Sequence, residues 1–565
     1  MKMNHIQMSL EKATTGDKPS RYLDGEGRRE GSGQQPGILH RSSGVSVDGM
    51  SGSDDRVNWE TSSRASKEAT AQASRPAGEL EQALGGVGVL HSSVDLWESI
   101  THRKRREGTC IEAMRRREGS SDGWDNQLPT PQKIRDLQIK LYRKAKADRK
   151  WKAWSLYGEI CRRDILEMAL GQVIANDGAP GIDGVDVRLL KHVPDKREKF
   201  LASLEAELRA KQYQPSPVRR VYIQKENGKL RPLGIPTVKD RVVQSALVIL
   251  LMPIGEADFH PHSYAYRPKK NAQQAMEAIK EAALQGRTEV IDADLSGYFD
   301  SIPHRPLLRL VAQRVSDGSI LRLIKGWLQA PVVEATEDKR RQRVCANRQG
   351  TPQGGVISPW LANLYLNGLD QAVNEQCEQK PRLVRYADDF VIACRPGQGV
   401  QLMERTQRWL ERRGLKLNGE KTRLVNLTEE GINFLGFGMT WRKGQSGKSY
   451  PHVEPNAKSQ AKLRKKLGQL LNHWTLHEPV RETVQKVNRV VKGWINYFHY
   501  ANSSAVFTQM QHHTRNRLRR WLWRKHGCRK GLFKGYTNER LENHYGLTPF
   551  PLWTKWRHAT ELKAD

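Results

Sequence analysis

The stretch Arg385-Tyr386-Ala387-Asp388-Asp389-Phe390 places two adjacent carboxylates between the apolar pairs Leu383-Val384 and Val391-Ile392. Two β-prone runs separated by Ala-Asp-Asp predict a tight hairpin. Adjacent carboxylates repel each other on such a turn, and a bound cation removes that repulsion. Mg²⁺ is held by a few carboxylates together with phosphate oxygens and water, so the pair predicts a metal site, although a solvated turn would also accept it. Asp294, within the run 290–300, is the candidate for a further ligand.

The charge balance of the 565-residue chain points to a polyanionic partner. Lys and Arg number 94 against 62 Asp and Glu, which gives a formal net charge of +32. A long nucleic acid is the leading partner, and an anionic membrane surface is the alternative. The longest apolar run, residues 246–253, is too short to span a bilayer, so we expect no membrane partner.

Cysteine usage and the N-terminal residues indicate an intracellular setting. None of the six cysteines belongs to a Cys-x-x-Cys pair, which argues against a disulfide framework and against a zinc knuckle. Residues 1–5 lack the apolar core of a signal peptide. We therefore expect a reducing compartment.

Residues 1–125 differ in composition from the rest of the chain. Gly, Ser, Arg and Glu dominate, and apolar residues are too sparse to offset the entropy cost of ordering. We expect a disordered extension with a short helix near residues 78–85. The basic runs 103–106 and 115–117 would suit a flexible nucleic-acid arm, and a solvated leader without a specific role is the alternative.

Residues 126–285 predict N-terminal helices followed by a small basic hairpin. A strand at 218–223 is followed by an Asn-Gly turn and a return through 230–236. The cations Lys225, Lys229 and Arg231 lie on or beside this hairpin. They could grip a triphosphate, or they could form a solvated basic face.

Residues 286–440 alternate strands and helices, which predicts an α+β sheet with helices behind it. The strand at 289–295 carries Asp294, and a glycine-rich loop at 348–355 precedes a helix that begins at Ser358. The loop would line a substrate pocket or serve as a plain connection.

Residues 441–525 predict an all-helical domain, because apolar residues recur there at helical spacing. Cations interleave with aromatic residues in 517–525, a composition that suits phosphate contacts and base stacking. The candidates for these contacts are Arg519, Arg520, Arg524 and Lys525. We expect 526–565 to be a basic DNA- or RNA-binding tail; alternatively, its apolar residues pack back onto the helices.

From about residue 129 to 525 the chain resembles the reverse transcriptase/maturase proteins that group II introns of bacteria and organelles encode. The resemblance rests on motifs that occur in the family's order. They are GAPGIDG at 178–184, KLRPLGIP at 229–236, SYAYRP at 263–268, DLSGYFD at 294–300, GTPQGG at 350–355, YADD at 386–389, FLGF at 434–437 and VKGWINYF at 491–498.

The resemblance implies a right-hand polymerase of fingers and palm followed by an all-α thumb, or maturase, domain. Asp294, Asp388 and Asp389 match the palm acids that hold two Mg²⁺ ions. Lys421 would donate a proton to the leaving pyrophosphate.

For substrate binding, the resemblance implies the following roles. Lys225, Lys229 and Arg231 would hold the incoming dNTP, Phe299 would exclude ribonucleotides, and Gln353 would line the nucleotide pocket. Gly436 lies in the match to the primer grip.

The implied function is RNA-directed DNA synthesis together with intron splicing and retrohoming in a bacterial cytoplasm. The implied partners are intron RNA, target DNA, an RNA/DNA primer-template duplex and dNTPs. Many relatives carry an HNH-type nuclease with paired cysteines, and we expect none here because only Cys528 lies in that region. Two alternatives stay open: a domesticated polymerase of DNA repair or phage defence, and a non-enzymatic splicing maturase.

Overall fold

A computed structural model describes residues 130–224, 228, 230–335, 342–527 and 531–551. The disorder and the short helix predicted for 1–125 lie outside the described residues, as do Lys225, Lys229 and the end of the basic tail from residue 552. Within the described part of the chain, no helix combines the length and the apolar character needed to cross a bilayer.

The fingers region consists of helices followed by a hairpin and one long helix. Its elements are α1 (Gln132–Ala147), α2 (Tyr157–Ile160), α3 (Arg163–Ala175), α4 (Val187–His192), α5 (Pro194–Arg209), β1 (Val218–Gln224), β2 (Leu230–Ile235) and α6 (Val238–Asp258).

Helix α6 is the core of the fingers, and α1 and α3 pack against it. Thr237 caps the helix by accepting a hydrogen bond from the amide of Asp240. Helices α2 and α3 are separate, because Arg162 adopts an extended backbone at the start of α3.

The palm contains the central sheet and its supporting helices. Its elements are α7 (Ala272–Leu284), β3 (Glu289–Asp294), α8 (Tyr298–Ser301), α9 (His304–Ala312), α10 (Gly318–Gln329), β4 (Val332–Ala335), β5 (Gln342–Cys345), α11 (Ser358–Asn374), β6 (Arg382–Tyr386), β7 (Asp389–Cys394), α12 (Gly399–Glu411) and β8 (Arg423–Asn426).

The antiparallel palm sheet has the strand order β6-β7-β3-β8. The predicted hairpin at its edge is present: Tyr386 pairs with Asp389, which leaves Ala387 and Asp388 as the turn. A second sheet, of order β2-β1-β4-β5, adds the β4–β5 hairpin to the fingers strands, with β4 parallel to β1. The sequence pattern did not predict that added hairpin.

The thumb begins with strands and continues with long helices. Its elements are β9 (Ile432–Phe434), β10 (Phe437–Lys443), β11 (Ser449–Pro455), α13 (Ala457–Leu470), α14 (Val480–Phe498), α15 (Ser504–His526) and α16 (Leu532–Gly535). The expectation of a purely helical pattern beyond residue 441 is wrong, because β10 and β11 extend to Pro455. Two prolines obscured β11 in the sequence, and an edge strand tolerates them.

Palm and thumb share one hydrophobic core. It runs from Met276 and Ile279 on α7 through Phe437 to Phe507 on α15. At the same junction the hydroxyl of Tyr500 donates a hydrogen bond to Glu277, which also pairs with Lys280. The thumb is therefore anchored on the palm by apolar and polar contacts together.

The segment after α15 belongs to this core. Leu541, Leu547 and Phe550 are buried, and the Phe550 ring lies 6.2 Å from that of Trp494. Asn488 on α14 donates to the carbonyl of Gly546 and accepts from the amide of Thr548. Residues 531–551 therefore pack back onto the helices, the alternative that the sequence left open, and nucleic-acid binding by 526–565 stays a prediction.

Candidate active site

Two strands bring the predicted acids together. Asp294 ends β3 and pairs directly with Asp389, the first residue of β7, so their Cα atoms are neighbours across an antiparallel ladder. Asp388 precedes Asp389 in the turn. Ala387 completes that turn with φ of +63°, a left-handed conformation that costs a non-glycine residue free energy.

Lys421 lies among these carboxylates. Its Nζ donates to Asp294 Oδ2 over 2.6 Å. This hydrogen bond, followed by the negative charges of Asp294, Asp389 and Asp388, raises the pKa of Lys421. The positive charge of the Lys421 ammonium is therefore stabilised by all three carboxylates. Asn418 fixes the same strand end, because its side chain donates to Asp294 Oδ2 and its amide donates to the Asp294 carbonyl.

A buried arginine supports the turn from behind. The side chain of Arg385 is fully buried and forms two hydrogen bonds with Asp370 on α11, of 2.8 and 2.6 Å. Its Nη1 also donates to the carbonyl of Ala387 over 3.1 Å and to Asn363 over 3.0 Å. The guanidinium thus links the acidic turn to a core helix.

The predicted nucleotide-binding residues that the structure describes lie around one polar chain. Arg231 Nε donates to Gln353 Oε1 over 3.0 Å, and Gln353 Nε2 donates to Asp300 Oδ2 over 2.7 Å. Phe299 is half-buried next to Asp300, and its carbonyl accepts from the amide of Thr351. Arg231, Gln353 and Phe299 are therefore brought together.

The glycine-rich loop 350–355 joins fingers and palm where no side chain fits. A Cβ on Gly350 would lie 2.8 Å from the backbone of Asp300, and one on Gly354 would lie 2.2 Å from the carbonyl oxygen of Gly234. The amide of Gly234 donates to the carbonyl of Gln353 over 2.6 Å. The loop therefore holds the fingers hairpin at a fixed position on the palm.

The turn that contains Gly436 attaches to the thumb. Phe434 pairs with Phe437, so Leu435 and Gly436, both with positive φ, form a two-residue turn. The Gly436 carbonyl accepts from the amide of Asn456 and from the hydroxyl of Ser459.

The four candidate cations of α15 have different surroundings. Arg519 is 3% exposed and donates to Tyr536, Asn538 and Asn516, so the expectation that it contacts nucleic acid is wrong. Lys525 donates to the carbonyls of Leu476 and Glu478. Arg520 and Arg524 are exposed one turn apart, with Trp523 44% exposed between them.

Sequence reasoning missed several partners of the site. Asn418, Asp300 and the Arg385–Asp370 pair were not assigned a role. The signal available for Arg385 was a charged residue inside an otherwise apolar strand, a position that requires a buried counterion. Nothing in the sequence identified Asp370 as that counterion.

The donor set at β3 and β7 fits a divalent cation. Carboxylate oxygens are the ligands that Mg²⁺ prefers, and the Lys421 ammonium already occupies a cation position beside Asp294. Among the residues that the structure describes, no group of three or more His, Cys, Asp or Glu side chains is close enough to form a ready-made metal cage.

The chain matches two family models. Residues 223–439 match the model described as reverse transcriptase (RNA-dependent DNA polymerase), and residues 460–537 match the group II intron, maturase-specific domain.

Two relatives are similar over different shares of the chain. Protein YkfC of Escherichia coli (strain K12) is 34% identical, over 56% of this chain and 90% of YkfC. The group II intron-encoded protein LtrA of Lactococcus lactis subsp. cremoris is 35% identical, over 39% of this chain and 35% of LtrA. A solved structure, the partial Cas6-RT-Cas1–Cas2 complex, matches 46% of this chain and 42% of that chain with a TM-score of 0.30 and 22% identity, a likeness that carries no argument.

Proposed function

The chain belongs to the group II intron-encoded reverse transcriptase/maturase family, and from this premise we propose that its Asp294, Asp388 and Asp389 centre copies RNA into DNA. The observation that carries the proposal is the Lys421 ammonium, which lies 2.6 Å from Asp294 and within the field of all three acids. Asp294, Asp388 and Asp389 would hold two Mg²⁺ ions, which would activate the primer 3′-hydroxyl and neutralise charge on the leaving pyrophosphate.

Lys421 is the proposed proton donor to the leaving group. A lysine is protonated at neutral pH, and the neighbouring carboxylates raise the pKa of Lys421 further. An acid near the departing oxygen lowers the barrier to bond cleavage. Asn418 positions this group indirectly, because it holds the end of β3 that Lys421 contacts.

Arg231, Gln353 and Phe299 are the proposed nucleotide pocket. The Arg231 guanidinium, oriented by Gln353, can pair with a triphosphate oxygen. The Phe299 ring would lie against the sugar, where a 2′-hydroxyl would collide with it. Lys225 and Lys229, which come between β1 and β2 in the sequence, would add positive charge.

The proposed partner beyond the primer-template is the RNA of the encoding intron, in a bacterial cytoplasm. The match to the maturase-specific domain and the net charge of +32 support RNA binding. Arg520, Trp523 and Arg524 offer cations and a stacking ring on one helical face.

Extension of a DNA primer annealed to an RNA template tests the proposal. We expect the purified chain to incorporate dNTPs with Mg²⁺ and Asp388→Asn to lose incorporation while its melting temperature does not fall, because one of two crowded charges is removed. Glu404→Gln, which neutralises an exposed carboxylate on α12, is the matched control. Incorporation by Asp388→Asn at the wild-type rate would contradict the proposed centre.

A further inference from the structure

The palm sheet has a second charged end, remote from the acids. Arg382 begins β6, Arg395 follows β7, and Arg287 precedes β3. From Arg382 to Tyr386 the strand covers roughly 13 Å at about 3.3 Å per residue. A group bound among these arginines would therefore not reach the nucleotide pocket.

A cavity of about 460 Å³ lies at this end. Arg287, Lys380 and Arg382 line it, together with the glutamates Glu375 and Glu378. Within the described chain, neither glutamate forms an ion pair with Arg287, Arg382 or Arg395; Glu375 instead approaches His260 at 3.8 Å. Three cations and two carboxylates therefore line the cavity, and neither Arg287 nor Arg382 is paired with one of those carboxylates.

Uncharged hydrogen-bond acceptors fix the orientation of two guanidinium groups, those of Arg287 and Arg382. Arg287 Nε donates to the carbonyl of Lys380 over 2.9 Å, and its Nη1 donates to the Gln285 side chain. Arg382 Nη1 lies 2.9 Å from His262 Nε2. Burial and the charge of Arg382 lower the pKa of His262 to about 3, so the ring is neutral and accepts this hydrogen bond.

The three arginines also repel one another. Burial, then the charges of Arg382 and Arg395, lower the pKa of Arg287. Half-buried arginines normally pair with carboxylates or phosphates, since the guanidinium fork matches both. Here neutral groups fix the orientation of Arg287 and Arg382, and no carboxylate of the described chain pairs with either guanidinium, so both remain able to bind an anion.

We propose that Arg287, Arg382 and Arg395 form a site for a backbone phosphate of RNA, remote from the polymerase centre. The inference rests on the proposed RNA-binding function, and it names a site on the palm that the maturase-specific domain does not include. The choice of RNA follows from the net charge of the chain and from the exposure of Arg395, whose positive charge acts on Arg287.

The test compares the triple variant Arg287→Gln/Arg382→Gln/Arg395→Gln with wild type. The probe is a labelled transcript of the chain's own coding RNA with its flanking sequence, titrated at several salt concentrations. We expect roughly tenfold weaker binding and a log–log salt slope reduced by about 0.7 to 0.9 for each RNA phosphate that the variant no longer binds. Extension of a short primer-template should match wild type.

Two further variants keep the test decisive. Arg412→Gln removes an exposed palm charge elsewhere and should leave affinity unchanged. Arg395→Gln removes a surface side chain that holds no other element, so it reports on the site if the triple variant melts early.

Each result separates the possibilities. RNA affinity and salt slope equal to wild type, in folded triple and Arg395→Gln variants, would overturn the proposal. Loss of primer extension in a folded triple variant would overturn the claim of a separate site. Inorganic phosphate that stabilises wild type but not the triple variant, without any change in RNA binding, would identify a small-anion site instead. Failure of wild type to extend a primer would concern the proposed function alone.

Discussion

Lys421 contributes to the acidic centre in two ways, through its positive charge and through its position beside Asp294. Its ammonium donates to Oδ2 of Asp294, a carboxylate that would hold a metal ion in the proposed centre. A monovalent cation therefore already neutralises part of the acidic cluster. Any divalent ion that binds Asp294 has to compete with it, so the residue would affect both metal affinity and proton transfer.

Lys421→Ala should separate these two effects. We expect tighter Mn²⁺ binding to the nucleotide-free protein, measured by electron paramagnetic resonance, because the competing ammonium is gone. Primer extension should slow by roughly 10²-fold, because the proton donor is removed. Lys416→Ala, which removes the same charge from the same segment, is the control. Equal or weaker Mn²⁺ affinity in Lys421→Ala would contradict the competition.

Arg385 should stabilise the fold and position the turn by separable contacts. Arg385→Met leaves Asp370 buried and unpaired, which costs about 3–5 kcal/mol of folding stability. Arg385→Met/Asp370→Leu removes both charges and should recover most of the melting temperature. Primer extension should stay low in the double variant, because the hydrogen bond to the Ala387 carbonyl is missing. Wild-type activity in that variant would show that the turn needs no such support.

At the level of single residues, the sequence predicted the features that depend on residues close together in the chain. Asp388 and Asp389 are adjacent, and Asp294 lies in a recognisable strand. The Arg385–Asp370 pair and the Arg231–Gln353–Asp300 chain join residues far apart in sequence, so only the folded chain defines them. The burial of Arg519 was missed for the same reason: its partners Tyr536 and Asn538 lie just beyond α16, about twenty residues later in the sequence.

Among the elements, the glycine-rich loop 350–355 has the least tolerance for substitution. Gly354→Ala would place a methyl group 2.2 Å from the Gly234 oxygen, on a backbone with φ of +115°. We expect the fingers hairpin to shift and the KM for dNTPs to rise more than kcat falls. Gly318→Ala, with nothing within 4 Å of its Cβ, is the control. An unchanged KM in Gly354→Ala would contradict the linkage of loop and pocket.

Elements with simple periodicity were predictable, and those stabilised by distant contacts were not. The β6–β7 and β1–β2 hairpins follow from short turns between apolar runs. The β4–β5 hairpin depends on parallel pairing with β1, more than a hundred residues earlier in the sequence. Strand β11 contains two prolines, and it forms a strand because it pairs with β10.

For the whole molecule, the shared palm and thumb core predicts that residues 531–551 are needed for folding. Phe550→Ala removes a ring that is 3% exposed, which should cost about 3–5 kcal/mol and lower the melting temperature. Phe533→Ala, whose ring is 61% exposed, is the matched control and should change stability little. Equal melting temperatures, followed by circular dichroism, would show that this segment is not part of the core.

The overall arrangement was predictable from the order of motifs, but its boundaries were not. Fingers, palm and thumb follow each other as the resemblance implied. The limit of the thumb extends beyond residue 526, because Leu541, Leu547 and Phe550 pack onto helices that begin before residue 505. Composition indicated a basic tail there, whereas burial depends on contacts that composition does not encode.

The most direct measurement of the central claim is single-turnover primer extension on an RNA template by acid variants. The variants are Asp294→Asn, Asp388→Asn, Asp389→Asn and the triple combination. If the three carboxylates act as one centre, each single variant should lose roughly 10³-fold or more, and the triple should lose little further, since residues acting as a unit are non-additive. Losses that multiply from variant to variant, or a single variant with wild-type rate, would contradict the account.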